Sequence, residues 1–226
     1  VDCFFTPDIY DGDLLEMLEA RGIPCFGAGK AEILELDRFQ AAKEMKEAGM
    51  DVATTRKIVG LDNLRKHLKS VENKFVKISR YRQVFETFRH ENYATTEPLL
   101  DKIQSDLGPL SKVAEFVIVD NIDADVEEGV DTYAVDGQLP NSMVTGCEIK
   151  DKAYAGKLTP IDNLSVGNIA VNTKFSTLLK KYDHCGFFST EVRTKGNKHF
   201  FIDPCMRLGL PPNATYQEVY ENLGAV

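Results

Sequence analysis

The residues best suited to chemistry lie toward the C-terminal end of this sequence. Phe187-Phe188-Ser189-Thr190-Glu191 is followed, twelve residues after the glutamate, by Asp203 within Phe201-Ile202-Asp203-Pro204-Cys205-Met206-Arg207. Both stretches have strand composition, and Lys195-Gly196-Asn197 between them is turn-forming, so the pattern predicts a β-hairpin. With a three-residue loop over 196–198, Glu191 stands directly across from Asp203, with the two Cβ atoms roughly 5 Å apart. Two carboxylates that close repel one another. A hard divalent cation relieves the repulsion, and Mg²⁺ typically takes one or two carboxylates together with phosphate oxygens. Arg207 then supplies a fixed cation for a phosphate or an acyl oxyanion. The ordinary alternative is that Glu191 pairs with a basic residue on a neighbouring strand and Asp203 merely opens a proline turn.

Three earlier segments carry the same kind of signal. Asn73-Lys74-Phe75-Val76-Lys77-Ile78-Ser79 places Lys77 inside an apolar strand, where an amine is costly unless it meets an anion or snorkels from a strand edge. The apolar run Val117-Ile118-Val119 breaks into Asp120-Asn121-Ile122-Asp123, with Glu127 and Glu128 following. A strand leaving a sheet offers backbone donors and acceptors to an adenine edge, and a nearby carboxylate accepts ribose hydroxyls; an acidic connecting loop is the simpler reading. Lys150 and Lys152 alternate with Glu148 along one strand, either at a solvated edge or toward a ligand. Arg38, at the start of a capped helix, is a weaker phosphate candidate.

Hydrophobic periodicity predicts the elements that position these groups. Val1–Thr6 reads as a short strand, Asp11–Ala20 as a helix, and Ile23–Phe26 as the start of a second strand, a unit expected to be the remnant of an N-terminal α/β domain over 1–36. A helix follows, with Asp37 and Gln40 as N-cap and N3 residues, and ends at Gly49. Strands are expected at 52–59 and 73–79 around a helix at 61–68, and a further helix at 95–107. The second half reads as successive strands at 116–122, 130–135, 143–149 and 168–171, with a long loop after Lys157. A helix at 173–181 and the hairpin complete the pattern, giving an α+β chain with a largely antiparallel second half.

Composition narrows the function classes. The 226-residue chain carries a net charge of −8, which argues against a surface that neutralises many nucleic-acid phosphates. No apolar run approaches the roughly 20 residues of a membrane span, and the first residues are acidic where a secretory leader is basic, so a cytoplasmic protein is expected. Five cysteines, odd in number and never spaced as Cys-x-x-Cys, indicate neither a disulfide framework nor a zinc site.

In order and spacing these segments resemble an ATP-grasp domain of the phosphoribosylglycinamide synthetase-like carboxylate-amine ligases, over nearly the whole chain. Gly22-Ile23-Pro24-Cys25-Phe26-Gly27 with Leu36-Asp37-Arg38-Phe39 resembles the junction at which the preceding domain meets the grasp fold. The resemblance implies two α+β subdomains clasping ATP, with a grasp domain over 37–226 and a lid over 75–122. It also implies Lys77, Arg38 and Arg80 at the ATP phosphates, Asp120, Asn121 and Ile122 at adenine, and Glu127 at ribose. Lys150 and Lys152 fall where relatives meet the γ-phosphate or substrate. Glu191, Asp203 and Arg207 match the family's Glu plus Glu-x-Asn-x-Arg motif, with Cys205 in place of the metal-ligating asparagine and Asp120 in place of the usual glutamate. The implied cofactors are ATP and Mg²⁺. The implied activity is a ligase that joins a small-molecule carboxylate, through an acyl phosphate, to an amine or thiol. A thiol is a poor ligand for hard Mg²⁺, and the lid segment 79–93 has no glycine where the family has a glycine-rich loop. Both departures keep open a second reading, a grasp domain that binds nucleotide or serves as a scaffold without catalysis.

Overall fold

The structure is a computed structural model and describes residues 3–79, 87–124, 126–149, 153–209 and 212–219. In chain order the elements are β1 (Phe4–Phe5), α1 (Gly12–Glu19), β2 (Cys25–Phe26), α2 (Ile33–Leu36), α3 (Arg38–Glu47), β3 (Asp51–Val52), β4 (Thr55–Val59), α4 (Leu61–Leu68), β5 (Lys74–Ile78) and β6 (Thr87–His90). Then come α5 (Tyr93–Leu107), β7 (Glu115–Asp120), β8 (Val126–Ala134), β9 (Ser142–Ile149), β10 (Ala153–Pro160), α6 (Val166–Lys181), β11 (Gly186–Lys195), β12 (Lys198–Cys205) and α7 (Pro212–Val219). They fall into two compact units, one made of residues 1–35, 44–52 and 124–226, the other of 36–43 and 53–123.

The smaller unit is a four-stranded antiparallel sheet in the order β4-β7-β5-β6. Period-two alternation sends Val76 and Ile78 of β5, and Phe116 and Ile118 of β7, to one face. There they join Leu61, Leu64 and Leu68 of α4 and Leu100 and Ile103 of α5 in one buried cluster. Each fully buried side chain of this kind contributes about 1.5–3 kcal/mol. The expected cap of α3 is present, with Asp37 Oδ1 accepting the Gln40 N–H at 3.0 Å. Helix α5 begins two residues earlier than its apolar period suggests, because Asn92 caps it by accepting the Thr95 N–H at 3.1 Å.

The larger unit is built on a six-stranded sheet in the order β10-β9-β8-β11-β12-β3, antiparallel except for the β12–β3 pair. Helix α6 covers one face, with the Phe175 ring tilted 5.5 Å from Phe188 and stacked 5.6 Å from Phe201. On the opposite face Phe187 packs against Phe5, Phe26 and Tyr216, so β1, β2 and α7 cover the sheet near the start of β11. The approach there is close: Gly27 N–H donates to the Cys185 carbonyl at 2.8 Å, and a side chain at Gly186 would collide with the Gly27 backbone.

Several expected elements need correction. Asn168–Val171, β-branched in part and expected as a strand, lies within the first two turns of α6. Ser165 Oγ caps it by accepting the Asn168 N–H at 3.0 Å while donating to Glu128 at 2.6 Å, which sets a carboxylate at the helix's positive end. The expected strand 52–59 divides into β3 and β4, which enter different sheets. In place of a long loop after Lys157, β10 runs to Pro160 and pairs with β9 over eight positions. Strand β6 and helix α7 had no sequence signal. Among the described residues no helix is long and apolar enough to cross a membrane.

Candidate functional site

The β11–β12 hairpin has a different register from the one expected. Lys195 pairs with Lys198, so the loop is two residues, Gly196 and Asn197, with Gly196 at a φ of 59°. That loop alone would set Glu191 against Ile202. Between Val192↔Phe201 and Thr190↔Pro204, however, the ladder shifts by one residue, so a β-bulge leaves Ile202 and Asp203 together opposite Glu191. Asp203 is thus a neighbour of Glu191 through a bulge, not through direct pairing. On its other side Glu191 pairs with Gly129 of β8, so no basic residue stands directly across from it there. On this face Arg193 and Glu127 are directly opposed and form an ion pair, with Nε–Oε2 at 3.0 Å and Nη2–Oε2 at 2.9 Å. Glu127, the expected ribose acceptor, is therefore already bonded through one oxygen.

Asp131 is an acidic residue on this face that the sequence reading missed. It pairs in register with Ser189, is 7% exposed, and accepts the Tyr154 hydroxyl at 2.8 Å. Its signal was the one used for Lys77, a charge inside an apolar strand. Gly129, Gly146 and Gly156 line up across β8, β9 and β10, and the Tyr154 ring lies over the last two, where a side chain would collide with it. Among the described residues no three His, Cys, Asp or Glu side chains gather as a metal-binding cluster. Glu191 and Asp203 are a pair, which is the number of carboxylates Mg²⁺ typically takes from a protein.

Arg207 follows β12 and is held by three partners. Its Nε donates to the Tyr10 hydroxyl at 3.0 Å and lies 3.5 Å from Glu35 Oε1, and Nη1 donates to Asp8 at 2.8 Å. Burial pulls its pKa down, but the charges of Cys205 and Glu35 and the bonds to Tyr10 and Asp8 outweigh that, and the guanidinium is held above its ordinary value. Burial, then the Glu35 charge, also pushes the Tyr10 phenol up, which keeps it protonated. Cys205, half-buried, has its Sγ 3.7 Å from the Arg207 carbonyl.

In the smaller unit, Lys77 and Arg38 come to the same face of the sheet, the one opposite α4 and α5. Lys77 pairs in register with Thr87, and Arg38 Nη1 lies 3.5 Å from the Thr87 hydroxyl. Both cations are buried, Lys77 at 7% exposure and Arg38 at 8%. Asp120 turns to the other face and pairs with Lys74 at 2.7 Å; its N–H donates to the Thr54 carbonyl at 3.0 Å. Of the expected adenine segment, that leaves the backbone of Asn121 and Ile122, which are half-buried and outside any strand. Arg80, Lys150 and Lys152 lie outside the described residues.

No protein-family model matches the chain, and no curated protein matches it in sequence. Solved structures do. N5-carboxyaminoimidazole ribonucleotide synthetase from Thermus thermophilus superposes with a TM-score of 0.64 at 14% identity, over 96% of this chain and 57% of that one. The D-Ala:D-Ser ligase of Enterococcus faecalis gives 0.63 at 16% identity, over 91% and 64%. The RimK domain protein ATP-grasp from Sphaerobacter thermophilus gives 0.66 at 13% identity, over 95% and 76%. The chain thus spans about three-fifths of the length of the first two. A four-stranded antiparallel sheet with helices on one face, a six-stranded sheet whose hairpin carries Glu191 and Asp203, and these superpositions together show that this chain has the ATP-grasp fold.

Proposed function

We propose that the chain is the catalytic core of a Mg-ATP-dependent ligase that activates a carboxylate as an acyl phosphate and joins it to an amine or a thiol. The observation that carries this reading is the pair of buried cations, Lys77 and Arg38, on one face of the four-stranded sheet. Buried cations complement a buried anion, and solved structures of this fold include an ADP complex of N5-carboxyaminoimidazole ribonucleotide synthetase and a D-alanine–D-alanine ligase complexed with ATP. In the larger unit Glu191 and Asp203 would hold Mg²⁺, which would supply charge neutralisation to the phosphates. Arg207 would stabilise the charge that develops during phosphoryl and acyl transfer, and no protein nucleophile is required. Asn121 and Ile122 offer backbone to adenine, and Glu127 keeps one oxygen for ribose. The chemistry of Cys205 favours a second reading, nucleotide binding or scaffolding without turnover, because a thiol stands where a hard ligand suits Mg²⁺.

The test is thermal unfolding with and without Mg-ATP. A ligand that binds only the native state raises the melting temperature by mass action, and at 100 times its Kd the stabilisation is about 2.7 kcal/mol. Lys77→Ala is expected to abolish the rise while leaving the far-ultraviolet circular dichroism unchanged. A variant that responds to Mg-ATP like the wild type removes Lys77 from the site, and a wild type with no response removes the nucleotide.

A further inference from the structure

We infer that Glu35, with Tyr10 and Asp8, forms the positioning apparatus of Arg207, orienting its guanidinium so that the Nη2 amino group is offered to the anionic reactant. The inference rests on the role given to Arg207 in the ligase reading. Glu35 lies in α2, and its side chain is 4% exposed, a burial that a carboxylate tolerates only when it is bonded. Its Oε2 accepts the Met206 N–H at 2.7 Å, and its Oε1 lies 3.5 Å from Arg207 Nε. One buried carboxylate therefore fixes both the backbone at 206 and the side chain at 207. Cys205 and Asp203 lie immediately upstream, so the same anchor also holds the end of β12.

Tyr10 and Asp8 complete the clamp at Nε and Nη1. Among the described residues Nη2 makes no hydrogen bond, and it keeps two of the five guanidinium N–H donors. Asp8 and Glu35 give the cluster a formal charge of −1 with Arg207, so the arginine has little long-range pull on Mg-ATP. It acts at short range, through a directed hydrogen bond to charge that forms during the reaction. Loss of the clamp should therefore lower kcat and spare the KM for Mg-ATP, a split that loss of uniform binding would not produce.

The experiment is a double-mutant cycle on phosphate release from Mg-ATP by the full chain, with Glu35→Gln, Tyr10→Phe and Arg207→Ala. Each clamp variant is expected to lower kcat by about 10- to 100-fold, the scale of a small misplacement of a reacting group. The KM for Mg-ATP should stay within about twofold. In the Arg207→Ala background neither clamp variant should lower kcat further. An equal further fall in that background overturns the inference, because Glu35 would then act independently of Arg207. Should Glu35→Gln fail to fold, Tyr10→Phe removes one hydroxyl and carries the same comparison. A wild type without turnover defeats the ligase reading. The Arg207 Nε–H resonance, assigned by its loss in Arg207→Ala, then decides the positioning: a shift in both clamp variants upholds it, and an unchanged resonance overturns it.

Discussion

Lowering the pH should destabilise the larger unit through His184. The imidazole is 2% exposed, its ring centroid 6.2 Å from that of Phe188, with Nδ1 3.2 Å from the Ala28 carbonyl and Nε2 buried without a hydrogen-bond partner among the described residues. Burial, only partly offset by bonds to backbone carbonyls, pushes its pKa down from 6.5 to about 4. The native state therefore binds fewer protons than the unfolded chain between those values. The stabilisation is complete above pH 6.5 and drains as the pH falls through 6.5 toward the folded pKa. At about 1.4 kcal/mol per unit, the whole difference is about 3 kcal/mol, and about 2 kcal/mol of it is gone by pH 5. Other carboxylates titrate in the same range, so the comparison is with His184→Gln, which cannot charge. Urea unfolding of both proteins at pH 7.5 and pH 5 isolates the imidazole. The wild type should lose about 2 kcal/mol more than the variant over that interval. Equal losses would refute the reasoning, because the buried imidazole would then be taking up its proton in the folded state at no cost.

The remaining predictions concern the hairpin. Glu191→Gln and Asp203→Asn keep size and ladder bonds while removing one charge each, so both should fold with unchanged circular dichroism while Mg-ATP-dependent phosphate release falls by about 100-fold or more. The double variant should be little worse than either single if one cation is shared, and wild-type rates in both singles would sink the metal assignment. Cys205→Asn should preserve or raise turnover and lower the Mg²⁺ concentration needed for half-maximal rate, since an amide oxygen is the harder ligand. An unchanged Mg²⁺ requirement places residue 205 outside the coordination sphere.

The local patterns of this sequence single out the candidate residues and most of the elements that bear them. Lys77 in an apolar strand, Asp37 and Gln40 at a helix start, and Glu191 and Asp203 flanking a turn are all short-range signals, because charge burial, capping and turn geometry act within a few residues. The alternation along β11 likewise shows which of its side chains share a face. What the tertiary structure alone decided is where these pieces pair. The two-residue turn would have paired Glu191 with Ile202, and only the bulge in β12 restores Asp203 as its neighbour. An extra residue in one strand is a response to cross-strand pairing, so no local pattern announces it. Asn168–Val171 read as strand until Ser165 capped it and Phe175 found Phe188 and Phe201, contacts that outweigh a weak β-propensity. Arg207 was legible as a cation but not as a clamped one: its partners Asp8, Tyr10 and Glu35 lie more than 170 residues away in sequence, and a contact that distant exists only once the sheet and the N-terminal segment have been brought together.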